Sequence, residues 1–81
     1  MKNLEKYNRA FVEAFDLDDD EELTTLVYKE SDGWDSVGHM NLISIIEDTF
    51  DIMFETDDII GFNSYANGMS ILKDHYEIDF D

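Results

Sequence analysis

Apolar residues recur every three or four positions through most of this chain, and that spacing predicts helices rather than strands. Leu4, Tyr7, Phe11, Ala14 and Phe15 fall on one side of a first helix, with Glu5, Lys6, Arg9 and Glu13 opposite. Asn3 stands where an N-cap belongs. A second helix is predicted over 36–50, with Asp35 as its cap and Gly33 free to take a positive φ just before it. His39, Met40, Leu42, Ile43, Ile46 and Phe50 form its broad inner face. Val37, Asn41, Ser44 and Asp48 form an opposite stripe at spacing i, i+4, i+7 and i+11, with Ser36 at its N-terminal end.

Two further segments follow. Thr56 is placed to cap a short third helix, with Asp57 and Asp58 in its favourable first turn, Ile59, Ile60 and Phe62 turned inward or lining a cleft, and Gly61 at its end. Asn63 or Ser64 caps a fourth, whose Tyr65, Met69, Leu72 and Tyr76 repeat at 4-3-4 spacing. Gly68, unfavourable inside a helix, implies close packing there. Ile78 and Phe80 follow in an acidic tail that packs or frays. The pattern predicts an all-α protein, a small four-helix bundle with three longer helices, one short one and a long loop between the first two.

That loop carries an acidic run over 16–22, then Leu23, Leu26, Val27 and Tyr28 as anchors into the core, spaced for one short helical turn, and a polar stretch before Gly33. Asp16, Asp18 and Asp20 alternate like the start of a calcium loop. The sixth position, however, is Glu21 where glycine is needed, and the twelfth is Val27 where a bidentate Glu is needed. Loose divalent binding by the clustered acids is the most this run implies. Trp34, the single Trp, is expected to pack beside the start of the second helix.

Composition narrows the function. Eighty-one residues, 1–81, make one small domain. The net charge of −16, from 21 acids against five Lys and Arg, opposes binding to nucleic acid or to an anionic membrane and favours basic partners. No Cys is present, which excludes disulfides and a thiol nucleophile of the chain's own. No apolar run reaches spanning length and the first residues lack a signal-peptide pattern, so a cytoplasmic chain without membrane insertion is expected.

Ser36 is the residue with chemistry. At the first position of a helix its hydroxyl meets the positive end of the dipole, which suits a phosphate. A serine nucleophile needs a base and an oxyanion site. His39 reads as a boundary residue of the inner face and His75 as a cation at a helix C-terminus, and no order of His, Asp and Ser suggests a triad. Two separated His are also a weak metal signal. Ser36 therefore reads as a substrate of other enzymes, and the chain as no enzyme itself.

Asp35-Ser36-Val37, followed by Leu42-Ile43, Ile46-Glu47 and Phe50-Asp51, resembles the acyl carrier and peptidyl carrier family, whose second helix opens on Asp-Ser-Leu. The resemblance covers most of the chain and implies the same helical architecture. It implies that Ser36 carries a 4′-phosphopantetheine arm, placed there by a phosphopantetheinyl transferase with Mg²⁺, whose thiol holds acyl or aminoacyl groups as thioesters. It further implies a monomer visited by loading and transfer enzymes with basic docking patches. Asp35, Val37, Asn41, Ser44, Glu47, Asp48, Asp57 and Asp58, with Glu55, are the expected contact residues. Fatty-acid carriers usually place acids and an apolar residue on the outward stripe, where this chain has Gly38, Asn41 and Ser44. Gly38-His39-Met40 with Trp34 is closer to carriers of the peptidyl, aminoacyl or D-alanyl type, or to those of secondary-metabolite and surface-polysaccharide clusters. The aromatic interior would leave little room for a long acyl chain. The alternative on the same residues is an acidic interaction module, or a nucleic-acid mimic, with no prosthetic group.

Overall fold

Helix α1 spans Asn3–Phe15 and turns Tyr7, Ala10 and Phe11 into the interior. A computed structural model describes residues 2–18, 22–30 and 33–80 of the chain. Asn3 is the first helical residue rather than the cap. Lys2 holds the cap position without a side-chain bond, and the Asn3 amide instead donates to the Asp79 carbonyl at 2.7 Å. Leu4, on the edge of the stripe, is exposed, and Ala10, outside the expected stripe, is buried. The helix stops where Asp16 turns left-handed (φ 54°) and its N–H bonds the Val12 carbonyl.

Helix α2 covers Ser36–Phe50, α3 Thr56–Gly61 and α4 Tyr65–His75. Among the described residues there is no strand, so the fold is all-α with four helices. The inner face of α2 is His39, Leu42, Ile43 and Ile46. Met40 is 54 % exposed, contrary to its expected place. It stands about 100° round the helix from His39, on the flank of the buried face rather than in it. Thr56 is not the cap of α3. Glu55 occupies that position without a side-chain bond, and Thr56 is already helical. Ile60 is exposed, while Phe62 is fully buried. Ser64 does cap α4, accepting from the Asn67 N–H at 3.0 Å.

The interior is a cluster of rings. Tyr7 meets Phe11, Tyr65 and Phe80 with centroids 5.0–5.3 Å apart, and Phe11 meets Trp34 at 5.5 Å. Offset and edge-on pairs of this kind add to the burial of apolar area that holds a small core together. Among the described residues the buried side-chain polar atoms are paired. The Tyr7 hydroxyl donates to the Tyr65 carbonyl at 2.6 Å, and the Tyr65 hydroxyl donates to the Asn8 side chain. Gly68 is where α4 comes closest to these rings. A Cβ there would lie 2.3 Å from Phe62 Cζ and 2.6 Å from the Tyr7 hydroxyl, which accounts for a glycine inside a helix. The tail packs: the Ile78 N–H bonds the Leu72 carbonyl at 3.0 Å, and Phe80 is half-buried against Tyr7 and Phe50.

The long connection is anchored by backbone as well as side chains. Val27 forms an isolated antiparallel bridge with Ser64. The Tyr28 N–H donates to the Asn63 carbonyl at 2.9 Å, and the Tyr65 N–H donates to the Leu26 carbonyl at 3.0 Å. A turn closed by Leu26 N–H on the Leu23 carbonyl precedes it. Of the acidic run, Asp19, Asp20 and Glu21 lie outside the described residues, and with them the calcium-loop positions read at Asp20 and Glu21.

Candidate functional site

The segment 33–39 is built as one junction. Gly33 takes φ 84°, and Trp34 follows it into the interior, fully buried. Asp35 accepts the Gly38 N–H on Oδ1 at 2.9 Å, which satisfies one of the free donors of the first turn and starts α2 at Ser36. Gly38 is pressed against the preceding loop: a Cβ on it would lie 2.0 Å from the Gly33 carbonyl oxygen. The junction therefore needs a residue without a side chain at 38.

Trp34 Nε1–H donates to His39 Nδ1 at 3.0 Å, and His39 Nε2 stands 2.8 Å from the Ile59 carbonyl oxygen. With Nδ1 accepting, the ring proton sits on Nε2 and is donated to Ile59, so one tautomer satisfies both neighbours. His39 thereby joins α2 to α3 inside the protein. Its ring lies nearly parallel to Trp34 (20°) with centroids 6.2 Å apart, and 6.3 Å from Phe62. The second imidazole is engaged elsewhere. His75 Nδ1–H donates to Asp58 Oδ1 at 2.7 Å, and the Tyr76 hydroxyl donates to Asp58 Oδ2 at 2.7 Å while accepting the Glu55 N–H at 2.9 Å.

Ser36 is exposed on the outside of this junction. Its Oγ lies 3.3 Å from the hydroxyl of Tyr28, a residue that the sequence marks only as a core anchor. No local signal in the sequence brings Tyr28 there. The stripe that begins at Ser36 faces solvent as expected: Val37 is 81 % exposed, and Asn41, Ser44 and Asp48 are exposed. Asn41 also reaches across to donate to the Ala14 carbonyl at 3.3 Å. Asp57 and Glu55 are exposed on α3 and just before it.

Two of the expected contact acids are spent within the protein. Glu47 Oε2 accepts the Phe54 N–H at 2.8 Å and closes the turn after α2. Asp58 is buried, at 8 % exposure, and is withdrawn from the surface on which it was expected. Burial raises its carboxyl, but the hydrogen bonds from Tyr76 and His75, and the charge of His75, outweigh that and hold it below the ordinary carboxylate value. Its position in the first turn of α3 suits a dipole acid, and the partners that claim it come from the end of α4.

Met40, Met53 and Ile60 join Val37 as exposed apolar side chains on or beside α2 and α3. An open groove of about 350 Å³ runs along α4, lined by Thr24, Tyr65, Ala66, Met69, Ser70 and Lys73, and none of the expected site residues lines it. Among the described residues no three His, Asp or Glu side chains gather as metal ligands, and no helix is long and apolar enough to cross a membrane. No protein-family model, curated protein or solved structure matches the chain.

Proposed function

We propose that this chain is a carrier of acyl or aminoacyl groups, with Ser36 as the attachment point of 4′-phosphopantetheine. The observation that supports this most is the exposed Ser36 hydroxyl directly after a capping Asp35, at the head of the second of four helices. The site fits the arm's phosphodiester. The oxygen is open to a visiting enzyme, and the first turn of α2 offers its positive end to an anion. Both imidazoles are committed to other partners, which favours a serine that is acted upon over one that acts.

In loading, the Ser36 Oγ bonds to the β-phosphorus of coenzyme A, the bond to the α-phosphate side breaks, and adenosine 3′,5′-bisphosphate leaves. The hydroxyl proton goes to a base on the transferase. The arm supplies a terminal thiol, which the Cys-free chain lacks. The chain's own work is attachment and presentation. Val37, Asn41, Ser44 and Asp48 on α2, with Asp35 and Asp57, give a partner enzyme an exposed face with negative charge around one apolar residue. Electrostatic steering then speeds encounters without making them tight. His39, joined to Ile59 and close to Phe62, occupies the space between α2 and α3, which favours cargo held outside the protein and a specialised carrier over a fatty-acid one. The setting is the cytoplasm, where coenzyme A is available.

The test is loading with coenzyme A, Mg²⁺ and a broad-specificity phosphopantetheinyl transferase, followed by intact mass. A pantetheine adduct on the wild type and none on Ser36→Ala is expected. No adduct on the wild type overturns the reading and leaves an acidic interaction module in its place.

A further inference from the structure

Tyr28 is held from three directions. Its backbone N–H is tied to the Asn63 carbonyl between α3 and α4, at 2.9 Å. Its ring lies 4.9 Å from the His39 ring and 6.4 Å from Trp34, centroid to centroid. The Lys29 ammonium stands 5.7 Å from its centroid. The backbone after it is bent back by Lys29 at φ 68° and by the Lys29 N–H bond to the Trp34 carbonyl at 2.7 Å. With ring and backbone both placed, the hydroxyl has little freedom, and it lies 3.3 Å from Ser36 Oγ. A phenol held this way on a surface loop is not needed for the core, since a phenylalanine ring would fill the same space.

We propose that Tyr28 is a positioning residue for Ser36: it orients the free serine hydroxyl and, after esterification, donates its proton at the root of the phosphodiester. This rests on the carrier reading. The chemistry of the pair changes on loading. In the free protein either oxygen can donate. Once Ser36 Oγ is an ester oxygen it has no proton left, so the Tyr28 hydroxyl becomes the sole donor of the pair, next to an anion, where a hydrogen bond is stronger than between neutral groups. Through His39 the same ring contacts the residue that bonds Ile59, so the root of the arm is linked to the position of α3 by two side chains.

The experiment compares the wild type with Tyr28→Phe, with Trp34 emission and thermal unfolding confirming that both are folded. Both are loaded with coenzyme A, Mg²⁺ and the transferase, and the phosphodiester is read by ³¹P NMR. If the wild type takes no adduct, the carrier reading itself fails, whatever Tyr28 does. If it is loaded, the expected result is a ³¹P resonance displaced between the two holo proteins, with kcat for loading lowered about fivefold in Tyr28→Phe, the scale of one neutral hydrogen bond, and KM unchanged. Coincident ³¹P resonances with equal kcat overturn the proposal. A rise in KM alone also overturns it, since it would assign Tyr28 to docking of the transferase. Should Tyr28→Phe unfold, Tyr28 in the wild type is followed directly. A Tyr28 ring resonance that does not move between the free and loaded forms then counts against the proposal, and one that moves while Tyr7 and Tyr65 stay put supports it.

Discussion

The Gly33 carbonyl oxygen occupies the place where a side chain on Gly38 would begin, 2.0 Å from an ideal Cβ. The loop before α2 and the first turn of α2 are therefore seated on each other by main chain, with the Asp35 carboxylate and the Gly38 N–H completing the contact at 2.9 Å.

Gly38→Ala should push the loop off the helix. Overpacking of a tight site costs on the order of 1–3 kcal/mol, more than the helix propensity an alanine returns, which is about 1 kcal/mol. The melting temperature should fall and the emission of Trp34, buried in the same junction, should shift towards that of a solvated indole. A variant with wild-type melting and emission would contradict the seating described.

His39→Phe keeps a ring between Trp34 and Phe62 but leaves the Trp34 N–H without its acceptor and the Ile59 carbonyl without its donor. Stranding buried polar groups costs about 1–3 kcal/mol. The denaturant midpoint, followed by Trp34 fluorescence, should drop without a change in slope. An unchanged midpoint would mean that the two bonds contribute nothing net.

Asp58 sets a pH dependence. Its folded value lies below the ordinary 3.8, because the bonds from Tyr76 and His75 outweigh its burial. Its contribution to stability is thus present above the unfolded value and is lost as the pH falls through the folded one. Thermal melts taken at decreasing pH should show a steep loss below about pH 4 for the wild type and a shallower one for Asp58→Asn, which starts from a lower plateau at neutral pH. Parallel curves would remove Asp58 from the acid response.

The charge of −16 is carried on a body of 28 × 28 × 20 Å across its described residues. At about 0.01 M salt the screening length is about 30 Å, so repulsion acts across the whole molecule, and at about 0.15 M it falls to about 8 Å. Melting temperature should rise over that interval, and more steeply with MgCl₂ than with NaCl at equal ionic strength if the acids bind the divalent ion. A flat or falling curve would show that the acids are not mutually destabilising.

Much of the fold was legible because its signals are local. The Asp35 cap, a cap for α4 at Asn63 or Ser64, Gly61 at the end of α3 and the periodicity of α2 and α4 each act within one or two turns. What was not legible depends on residues distant in the chain. Asp58 looks like a first-turn surface acid until His75 and Tyr76 arrive from the end of α4. Asn3 looks like a cap until Asp79 offers a carbonyl. Tyr28 looks like a core anchor, and its hydroxyl reaches Ser36 because Asn63 fixes its backbone. Ser36 and the outward stripe could be read early, since they lie opposite the apolar face of α2, whereas Met40 on the flank of that face could not.

The pairing of Leu26 and Tyr28 with Tyr65 and Asn63 has a bearing on biosynthesis. A ribosome that has released the first two helices has not yet delivered the segment against which the loop aligns. Until that later stretch emerges, Tyr28 lacks the backbone partner that sets it beside Ser36. The serine then acquires its finished surroundings only after residues 63–65 have left the ribosome, so the junction around it cannot be completed by the first two helices alone.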